Sequence, residues 1–381
     1  MPRTDLELHH VVIYKRSDRY TAFPVLHALD SGARLLVGVW PRPHPSHYGV
    51  GIDPNERRLL VSRNGGDTWE PNDDPDAPAA WEGVPFGAMT AELSSGRQVA
   101  VWTGNWDDWP ASRRAEAEGL RRGVYPHPTD DDRIVVGNTS IYVRRREQPG
   151  EPWQEREYIV PEAAYIQGFT RSGVLLADGQ TLLFWLREGD QPRYQRQAHV
   201  FRSADGGLTW RLRSFPQDIF ARTGDETVLL EVAPGQILAM MRNANTPGGG
   251  GHLMESWSDD AGLTWSRPLQ TPIRGYPAHL LRLSDGRILC SYGYRFPPMG
   301  VRACFSEDDG NTWDIEHEVV LRNDGGTPSS LRSDGDGRSA GGGGDLGYPM
   351  SAELPDGSIF TLYYITTPDG VTHAAGTRWR A

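Results

Sequence analysis

Hydrophobic and polar residues alternate along this chain in short runs that occur in pairs, and the two runs of a pair are joined by a tight turn ending in glycine. Alternation with a period of two is typical of a β-strand with one buried face, and a glycine turn between two such runs predicts an antiparallel hairpin. Six hairpins are predicted in this way, at residues 23–40, 86–102, 173–185, 228–241, 279–292 and 348–364. Helical periodicity is scarce, so the pattern predicts an all-β fold.

An eight-residue pattern, Ser-x-Asx-x-Gly-x-Thr-Trp, occurs four times in the chain, at residues 62–69, 203–210, 258–265 and 306–313. Asx and Gly tolerate the left-handed backbone of a tight turn, and the Ser and Asx side chains can bond back to that backbone. Each copy follows one of the predicted hairpins. The pattern therefore predicts a turn that joins the two outer strands of a four-stranded antiparallel sheet.

This repeated pattern resembles the Asp box, or BNR repeat, of the sialidase-like β-propellers. The resemblance implies a six-bladed β-propeller with four-stranded antiparallel blades and with Asp boxes on blades 1, 3, 4 and 5. Six blades and their loops would account for residues 1–381 as a single domain. The run at residues 7–14 is expected to supply the outer strand that the last blade lacks, which would remove exposed sheet edges.

Three segments interrupt the regular pattern. Residues 110–122 predict a helix inside the long connection at 103–132, either as a surface decoration or as a lid over the propeller mouth. Two segments are rich in glycine, at 246–251 and 323–347. The second is long and polar enough to be a flexible loop, and it leads into Asp345 and Tyr348, so that it either shields a pocket or only connects two strands.

Composition narrows the range of partners. The chain has 39 Lys and Arg against 50 Asp and Glu, a formal net charge of −11. This balance argues against nucleic acid and anionic membranes as partners, although a local arginine cluster could still bind a small anion. No hydrophobic signal or membrane-spanning segment is evident, which predicts a cytoplasmic protein. We expect no cofactor, and we expect Cys290 and Cys304 to be free thiols facing each other across a hairpin.

The resemblance to sialidases extends to individual residues. Sialidases carry a nucleophilic tyrosine at a fixed distance before an Asp-Gly turn, and Tyr348 stands at that distance before the turn at 356–357. A glutamate that accepts the phenolic proton is implied at Glu226, and an arginine is implied at Arg242. A phenol has a pKa near 10 and needs such a base to attack carbon at neutral pH.

Other members of the sialidase site do not transfer cleanly. Sialidases hold the substrate carboxylate with three arginines, and Ala22 stands where the first is expected. Arg19 could compensate from the preceding loop. Arg295 and Arg302 are the candidates for the third, and Arg295 is preferred because it ends a predicted hairpin. Asp53 is the candidate for the acid/base aspartate, although residues 53–55 also fit an ordinary turn.

Further polar residues are predicted at the propeller mouth. Arg42, His44 and His47 belong to a proline-rich loop in which an imidazole could act as acid or base near neutral pH. His252 and His279 come from adjacent blades and could meet there, but two ligands without a spaced motif are weak grounds for a metal site, and a hydrogen-bonded structural role is favoured. No metal is therefore expected.

Three hypotheses for function follow. The first is an exo-glycosidase acting on a terminal anionic sugar through the pair of Tyr348 and Glu226. The second is a lyase or rhamnosidase-like enzyme that uses His47, Tyr348 and Arg242 on a uronate-containing glycan or another intracellular anionic metabolite. The third is a non-catalytic glycan-binding propeller. The expected partner is a small anionic sugar or glycan terminus, and hydrogen-bond reach between Tyr348 and Glu226 discriminates the first hypothesis.

Overall fold

The computed structural model describes residues 6–43, 56–72, 84–85, 87–104, 106–160, 163–189, 196–214, 225–243, 251–326 and 346–381. Regular structure in these ranges is almost entirely β-strand. The strands, in chain order, are β1 (His9–Tyr14), β2 (Val25–Leu29), β3 (Arg34–Val39), β4 (Arg58–Ser62), β5 (Glu70–Pro71), β6 (Met89–Glu92), β7 (Gln98–Thr103), β8 (Trp106–Pro110), β9 (Val124–Pro126), β10 (Arg133–Gly137), β11 (Ser140–Arg146), β12 (Gln154–Ile159), β13 (Tyr165–Leu175), β14 (Leu182–Gly189), β15 (Arg196–Ser203), β16 (Arg211–Ser214), β17 (Asp225–Ala233), β18 (Gln236–Arg242), β19 (His252–Ser258), β20 (Leu269–Arg274), β21 (Ala278–Arg282), β22 (Ile288–Tyr294), β23 (Met299–Ser306), β24 (Asp314–Gly325), β25 (Gly347–Glu353), β26 (Ile359–Thr366) and β27 (Thr372–Trp379).

Within the described residues, these strands form six four-stranded antiparallel sheets and one three-stranded sheet. Sheets one to six have the orders β2-β3-β4-β5, β6-β7-β11-β12, β13-β14-β15-β16, β17-β18-β19-β20, β21-β22-β23-β24 and β25-β26-β27-β1. The prediction of an all-β fold is therefore confirmed. Strand β1 pairs with β27 as the outer strand of sheet six, as the sequence predicts.

All six predicted hairpins are formed by the first two strands of a sheet. The third differs from the prediction in length, because β13 begins at Tyr165 rather than at Gly173. An irregularity in the register between Gly168 and Gly173 divides that strand. The irregularity interrupts the alternation on which the prediction depends, so the first half of β13 was missed.

The eight-residue repeats join the third and fourth strands of sheets one, three, four and five, and they share one hydrogen-bond pattern. In each repeat the serine hydroxyl oxygen accepts a hydrogen bond from the backbone N–H of the pattern's glycine, at 2.8–2.9 Å. The Asx Oδ1 atom accepts from the threonine N–H at 2.8–3.0 Å. The first repeat keeps this pattern with Asn64 in place of aspartate.

The repeats also connect neighbouring sheets. A Cβ atom at Gly66 would come within 2.2 Å of the Phe360 ring, and one at Gly310 would come within 2.8 Å of Leu238. Gly207 and Gly262 approach the second strands of sheets two and three in the same way. The glycine of each repeat therefore lets a turn lie against the second strand of another sheet, and the first repeat lies against sheet six.

Five hydrophobic clusters in the described residues each span two sheets. They join sheets two and three, three and four, four and five, five and six, and six and one. Cys290 and Cys304 face each other between β22 and β23, and both are buried free thiols, as expected. No described helix is long and apolar enough to cross a membrane.

The insertion between β7 and β11 is more structured than the sequence predicts. The helix predicted at residues 110–122 is present as a 3-10 turn, Ala111–Arg113, followed by α1 (Arg114–Gly119). Strands β8, β9 and β10 form a three-stranded sheet beside it, in the order β8-β10-β9. Trp106 packs against Tyr165 with ring centroids 4.8 Å apart, so the insertion contacts the first residue of β13.

A change at Asp308 in the fourth repeat is expected to separate the hydrogen-bonding role of this position from its charge. Replacing Asp308 by Ala removes the acceptor for Thr312 and should lower the free energy of unfolding by about 1–3 kcal/mol. Replacing it by Asn should cost little at neutral pH, because Asn64 makes the equivalent bonds to Thr68.

Asp308→Asn should also differ from the wild-type protein in acid. Burial raises the pKa of Asp308, but hydrogen bonds from Thr312 and Ser306 outweigh burial, and the pKa lies below its usual value. A carboxyl group with a depressed folded-state pKa stabilises the fold above its unfolded pKa, and this contribution is lost as pH falls through the folded value. Thermal melts from pH 7 to pH 2 should therefore show a smaller acid loss for Asp308→Asn than for wild type. Exposed Glu307→Ala serves as the control, and equal melting curves for Asp308→Ala and wild type would refute the prediction.

Candidate functional site

Two side chains that the sequence singles out, Tyr348 and Glu226, come from sheets six and four. Each is the second residue of the first strand in its sheet, and each has a positive φ, 51° for Tyr348 and 43° for Glu226. The strand register also shifts at both places, between Asp225 and Val228 and between Gly347 and Met350. A left-handed residue other than glycine is uncommon and costs about 1–3 kcal/mol, and such strain clusters at functional sites.

The two side chains are in direct contact. The Tyr348 hydroxyl donates a hydrogen bond to Glu226 Oε1, and Arg242 Nη1 donates to Glu226 Oε2. Arg242 Nη1 also lies 3.5 Å from the Tyr348 hydroxyl oxygen. The side chain of Glu226 is 5% exposed and that of Arg242 is 17% exposed. The pair is therefore within the hydrogen-bond reach that the tyrosine-nucleophile hypothesis requires.

Burial and neighbouring charges set the pKa values of Tyr348 and Arg242. Burial and the Glu226 carboxylate raise the pKa of Tyr348 to about 12, against the opposing effect of Arg242 and Arg295. Burial alone would lower the pKa of Arg242, but the charges of Glu226 and Tyr348 raise it above its ordinary value. The phenol is thus protonated at neutral pH, with a base already positioned to take its proton.

Arg295 is the second cation near the phenol. Its Nε donates to the carbonyl oxygen of Leu346 at 2.9 Å, and Nη2 donates to the Tyr364 hydroxyl at 3.3 Å. Its Cζ lies 5.9 Å from the centroid of the Tyr348 ring. The Tyr276 ring lies between the two arginines, with its centroid 4.6 Å from Arg242 Cζ and 5.6 Å from Arg295 Cζ. Arg242 and Arg295 therefore converge on the same region, next to Tyr348.

Arg302, the alternative to Arg295, has different partners. It lies in β23, where Nη1 donates to Glu318 and Cζ stands 3.4 Å from the centroid of the Tyr294 ring. Glu318 also accepts a hydrogen bond of 2.6 Å from the Tyr292 hydroxyl. These contacts hold Arg302 in a separate buried ion pair of sheet five.

Aromatic residues form the wall behind the phenol. Tyr20, Ala22, Tyr348 and Tyr364 make one buried cluster, and Ala22 is 1% exposed. Phe23 has a positive φ of 58° and meets the Tyr348 ring edge-on, with centroids 4.7 Å apart. The small Ala22 thus stands against the tyrosine, where the resemblance to sialidases implies an arginine.

Arg19, the candidate replacement for the missing arginine, and Arg42 of the proline-rich loop have different surroundings. Arg19 is half-buried and donates through Nε and Nη2 to Glu56 at 2.6–3.1 Å. Arg42 is buried, and its Cζ lies 5.7 Å from the centroid of the Phe23 ring. Of these two side chains, Arg42 lies next to the aromatic wall.

The predicted histidines are held separately by the backbone. His252 Nδ1 lies 3.2 Å from the carbonyl oxygen of Thr271, and His279 Nδ1 accepts a hydrogen bond of 3.3 Å from the N–H of Ser351. In the part of the chain that the structure describes, no three His, Cys, Asp or Glu side chains lie close enough together to hold a metal ion. Four predicted site residues lie outside the described residues, namely Asp53, His44, His47 and Asp345.

Sequence reasoning did not single out Phe23 and Tyr364, whose rings contact Tyr348, or the buried Arg187 of sheet three. Arg187 is buried near the end of β14, donates to Gln167 and lies 5.9 Å from the centroid of the Tyr165 ring. The signal that could have found it is positional, because Arg187 belongs to the end of the second strand in its sheet, as Arg242 does. No comparable signal marks Phe23, since nothing in its surroundings predicts a left-handed backbone.

Sequence comparison identifies relatives of this chain. Residues 124–361 match the family of the BNR repeat-like domain. A sialidase from Micromonospora viridifaciens is 27% identical over 219 residues, which are 49% of this chain and 32% of that protein. The chain thus spans about a third of the length of this relative.

Comparison with solved structures identifies similar folds. A protein of unknown function from Dyadobacter fermentans has a TM-score of 0.68 and 25% identity, with coverage of 98% of this chain and 99% of that one. The NanB sialidase of Streptococcus pneumoniae has a TM-score of 0.54 and 15% identity, with coverage of 97% and 70%. The four-stranded antiparallel sheets described above therefore match the fold of sialidase structures.

Proposed function

The chain belongs to the BNR repeat-like family within the sialidase-like superfamily, and on that premise we propose that it is an exo-glycosidase that hydrolyses the bond to a terminal anionic sugar. The observation that carries this proposal is the buried contact among Tyr348, Glu226 and Arg242. A phenol, a base and a guanidinium at one point suit nucleophilic attack on an anomeric carbon. A glycan-binding protein has no need of such a buried nucleophile and base.

We also propose that the six sheets are the blades of one six-bladed propeller domain and that the repeats are Asp boxes. Two observations support this arrangement. Four clusters join sheets that follow one another in the chain, from sheet two to sheet six, and a fifth joins sheet six to sheet one. The repeat of sheet one also lies against sheet six through Gly66 and Phe360. In a propeller, the first residues of the inner strands lie at one mouth of the central channel, which would bring Tyr348 and Glu226 to that mouth.

In the proposed reaction, the Tyr348 oxygen attacks the anomeric carbon while the bond to the leaving-group oxygen breaks. The phenolic proton passes to Glu226, and the leaving oxygen takes a proton from an acid, for which Asp53 is the candidate. Water then attacks the anomeric carbon and gives a proton back to the same acid/base group, for which Asp53 is the candidate; the sugar–tyrosine bond breaks as the proton on Glu226 returns to the Tyr348 oxygen. Two displacements at the same carbon give retention of configuration.

Arg242 and Arg295 hold the anionic group of the sugar in this proposal. A guanidinium presents a planar pair of donors that matches a carboxylate, and such charge-assisted bonds are stronger than neutral ones. Arg242 has a second role, since its contact with Glu226 favours the carboxylate form of the base before the reaction. The proposed substrate class is therefore an acidic sugar at the end of a glycan.

Turnover of a panel of aryl glycosides tests this function. The panel contains glycosides of sialic acid, of a deoxy-keto sugar acid and of a uronic acid, with an aryl galactoside as the neutral control. We expect phenol release from an acidic ketoside but not from the galactoside, and proton NMR should show the retained anomer first. Formation of a 4,5-unsaturated uronate from a uronate that carries a glycosyl leaving group at C4 would favour the lyase hypothesis. Binding without turnover across the panel would favour a glycan-binding module.

A further inference from the structure

We propose that Arg42 contacts the anionic group of the ligand from sheet one and so compensates for the alanine at position 22. This inference rests on the proposed function, and it names an additional residue that determines preference for an acid. It does not require any change in the roles of Arg242 and Arg295. The argument depends on the backbone pairing of Arg42, on its place beside the aromatic wall and on its position within the sheet.

The backbone directs Arg42 toward the face on which Tyr348 lies. Tyr20 and Arg42 form an antiparallel bridge, with a Tyr20 N–H to Arg42 carbonyl bond of 2.8 Å and the reciprocal bond of 2.9 Å. Side chains of such a pair extend from the same face, and a residue two positions along belongs to that face as well. Ala22 is two positions from Tyr20, and both pack in the cluster that contains Tyr348. Arg42 is thus a diagonal neighbour of Ala22, within reach of a long side chain.

Arg42 also lies close to the phenol. Its diagonal neighbour Ala22 adds only a methyl group to the cluster that contains Tyr348. The Arg42 guanidinium reaches the Phe23 ring, at 5.7 Å from its centroid, and the centroid of that ring lies 4.7 Å from that of Tyr348. One aromatic ring therefore separates the cation of Arg42 from the phenol.

Arg42 also has the same position in its own sheet as Arg242 and Arg295 have in theirs. It follows the second strand of sheet one, Arg242 ends the second strand of sheet four, and Arg295 follows the second strand of sheet five. Each guanidinium group lies over an aromatic ring: Arg42 over Phe23, Arg242 over Tyr276 and Arg295 over Tyr348 itself. Arg42 is 7% exposed, and a buried cation interacts more strongly with a carboxylate than an exposed one does.

Calorimetric titration with two probes, one charged and one uncharged, tests the proposal. The probes are 2-deoxy-2,3-didehydro-N-acetylneuraminic acid and its methyl ester, which lacks the carboxylate charge. Arg42→Gln should weaken binding of the acid by about 10- to 100-fold and leave binding of the ester unchanged, because one charge-assisted contact is lost. Arg42→Lys keeps the charge but not the planar fork, and it should give a smaller loss.

Arg19→Gln is the matched control, since Arg19 is the neighbouring arginine whose guanidinium is bound to Glu56. It should leave the ratio of acid to ester affinity at the wild-type value. If Arg42→Gln keeps the wild-type ratio of acid to ester affinity, the proposal is wrong. If that variant does not fold, a wild-type ratio in Arg42→Lys overturns the proposal instead. Failure of the wild-type protein to bind the acid or to cleave any acidic glycoside would instead overturn the proposed function and this inference with it.

Discussion

Replacing Tyr348 by Phe is expected to lower kcat for acidic aryl glycosides by about 10³-fold or more, with a much smaller change in KM. The variant removes only the hydroxyl oxygen that attacks the sugar, and the ring can keep its packing against Phe23 and Tyr364. Loss of a nucleophile acts on the transition state rather than on ground-state binding. Steady-state kinetics on the substrate identified by the glycoside panel measure both constants.

Two further variants make this result specific. Glu226→Gln should lower kcat by about 10²- to 10⁴-fold, because the amide cannot accept the phenolic proton as a base. Tyr363→Phe is the matched control, since Tyr363 is also buried but its hydroxyl contacts Thr377 outside the site. It should retain wild-type kinetics. If Tyr348→Phe keeps more than a tenth of the wild-type kcat, the tyrosine is not the nucleophile.

Replacing Arg242 by Met is expected to impair both stability and turnover. Met has a similar length but carries no charge, so Glu226 would be left buried without the guanidinium that it contacts. Removing one partner of a buried ion pair costs about 3–5 kcal/mol in free energy of unfolding. The same change removes a proposed contact to the ligand carboxylate. Chemical denaturation and KM for the acidic substrate measure the two effects.

Arg302→Met separates these effects. Arg302 and Glu318 form a buried ion pair of similar exposure, 12% and 11% for the two side chains, in sheet five rather than sheet four. We expect a comparable loss of stability from Arg302→Met but wild-type KM and kcat at a temperature where the variant is folded. If both variants raise KM equally, the effect of Arg242→Met reflects the fold and not a contact with the ligand.

The repeating unit of the fold could be predicted because its signals are local. Alternation over a few residues and a glycine turn specify a hairpin, and all six predicted hairpins form. The inserted strands β8, β9 and β10 were not predicted. Strand β8 is rich in charged and aromatic residues, and β9 has only three residues, so neither shows clear alternation. Both pair with β10, and that pairing depends on contacts between distant segments.

The candidate site was predictable only in part. The resemblance to sialidases pointed to Tyr348 through its separation from the following Asp-Gly turn, and to Glu226 and Arg242 through their places before and at the end of an earlier hairpin. Their convergence could not be read locally, since Tyr348 and Glu226 are 122 positions apart in the chain. The positive φ of Phe23 was equally hidden, because tertiary packing imposes this conformation on a residue that does not favour it.

The pairing of β1 with β27 has a consequence for how the protein is made. His10 and Thr377, whose side chains lie 3.0 Å apart, are separated by 367 positions. During synthesis, β1 leaves the ribosome long before β27, so closure of this contact carries a large loop entropy. Until the two strands pair, the edge of each is available to other chains. Exchange of β1 between molecules therefore competes with completion of the sixth sheet.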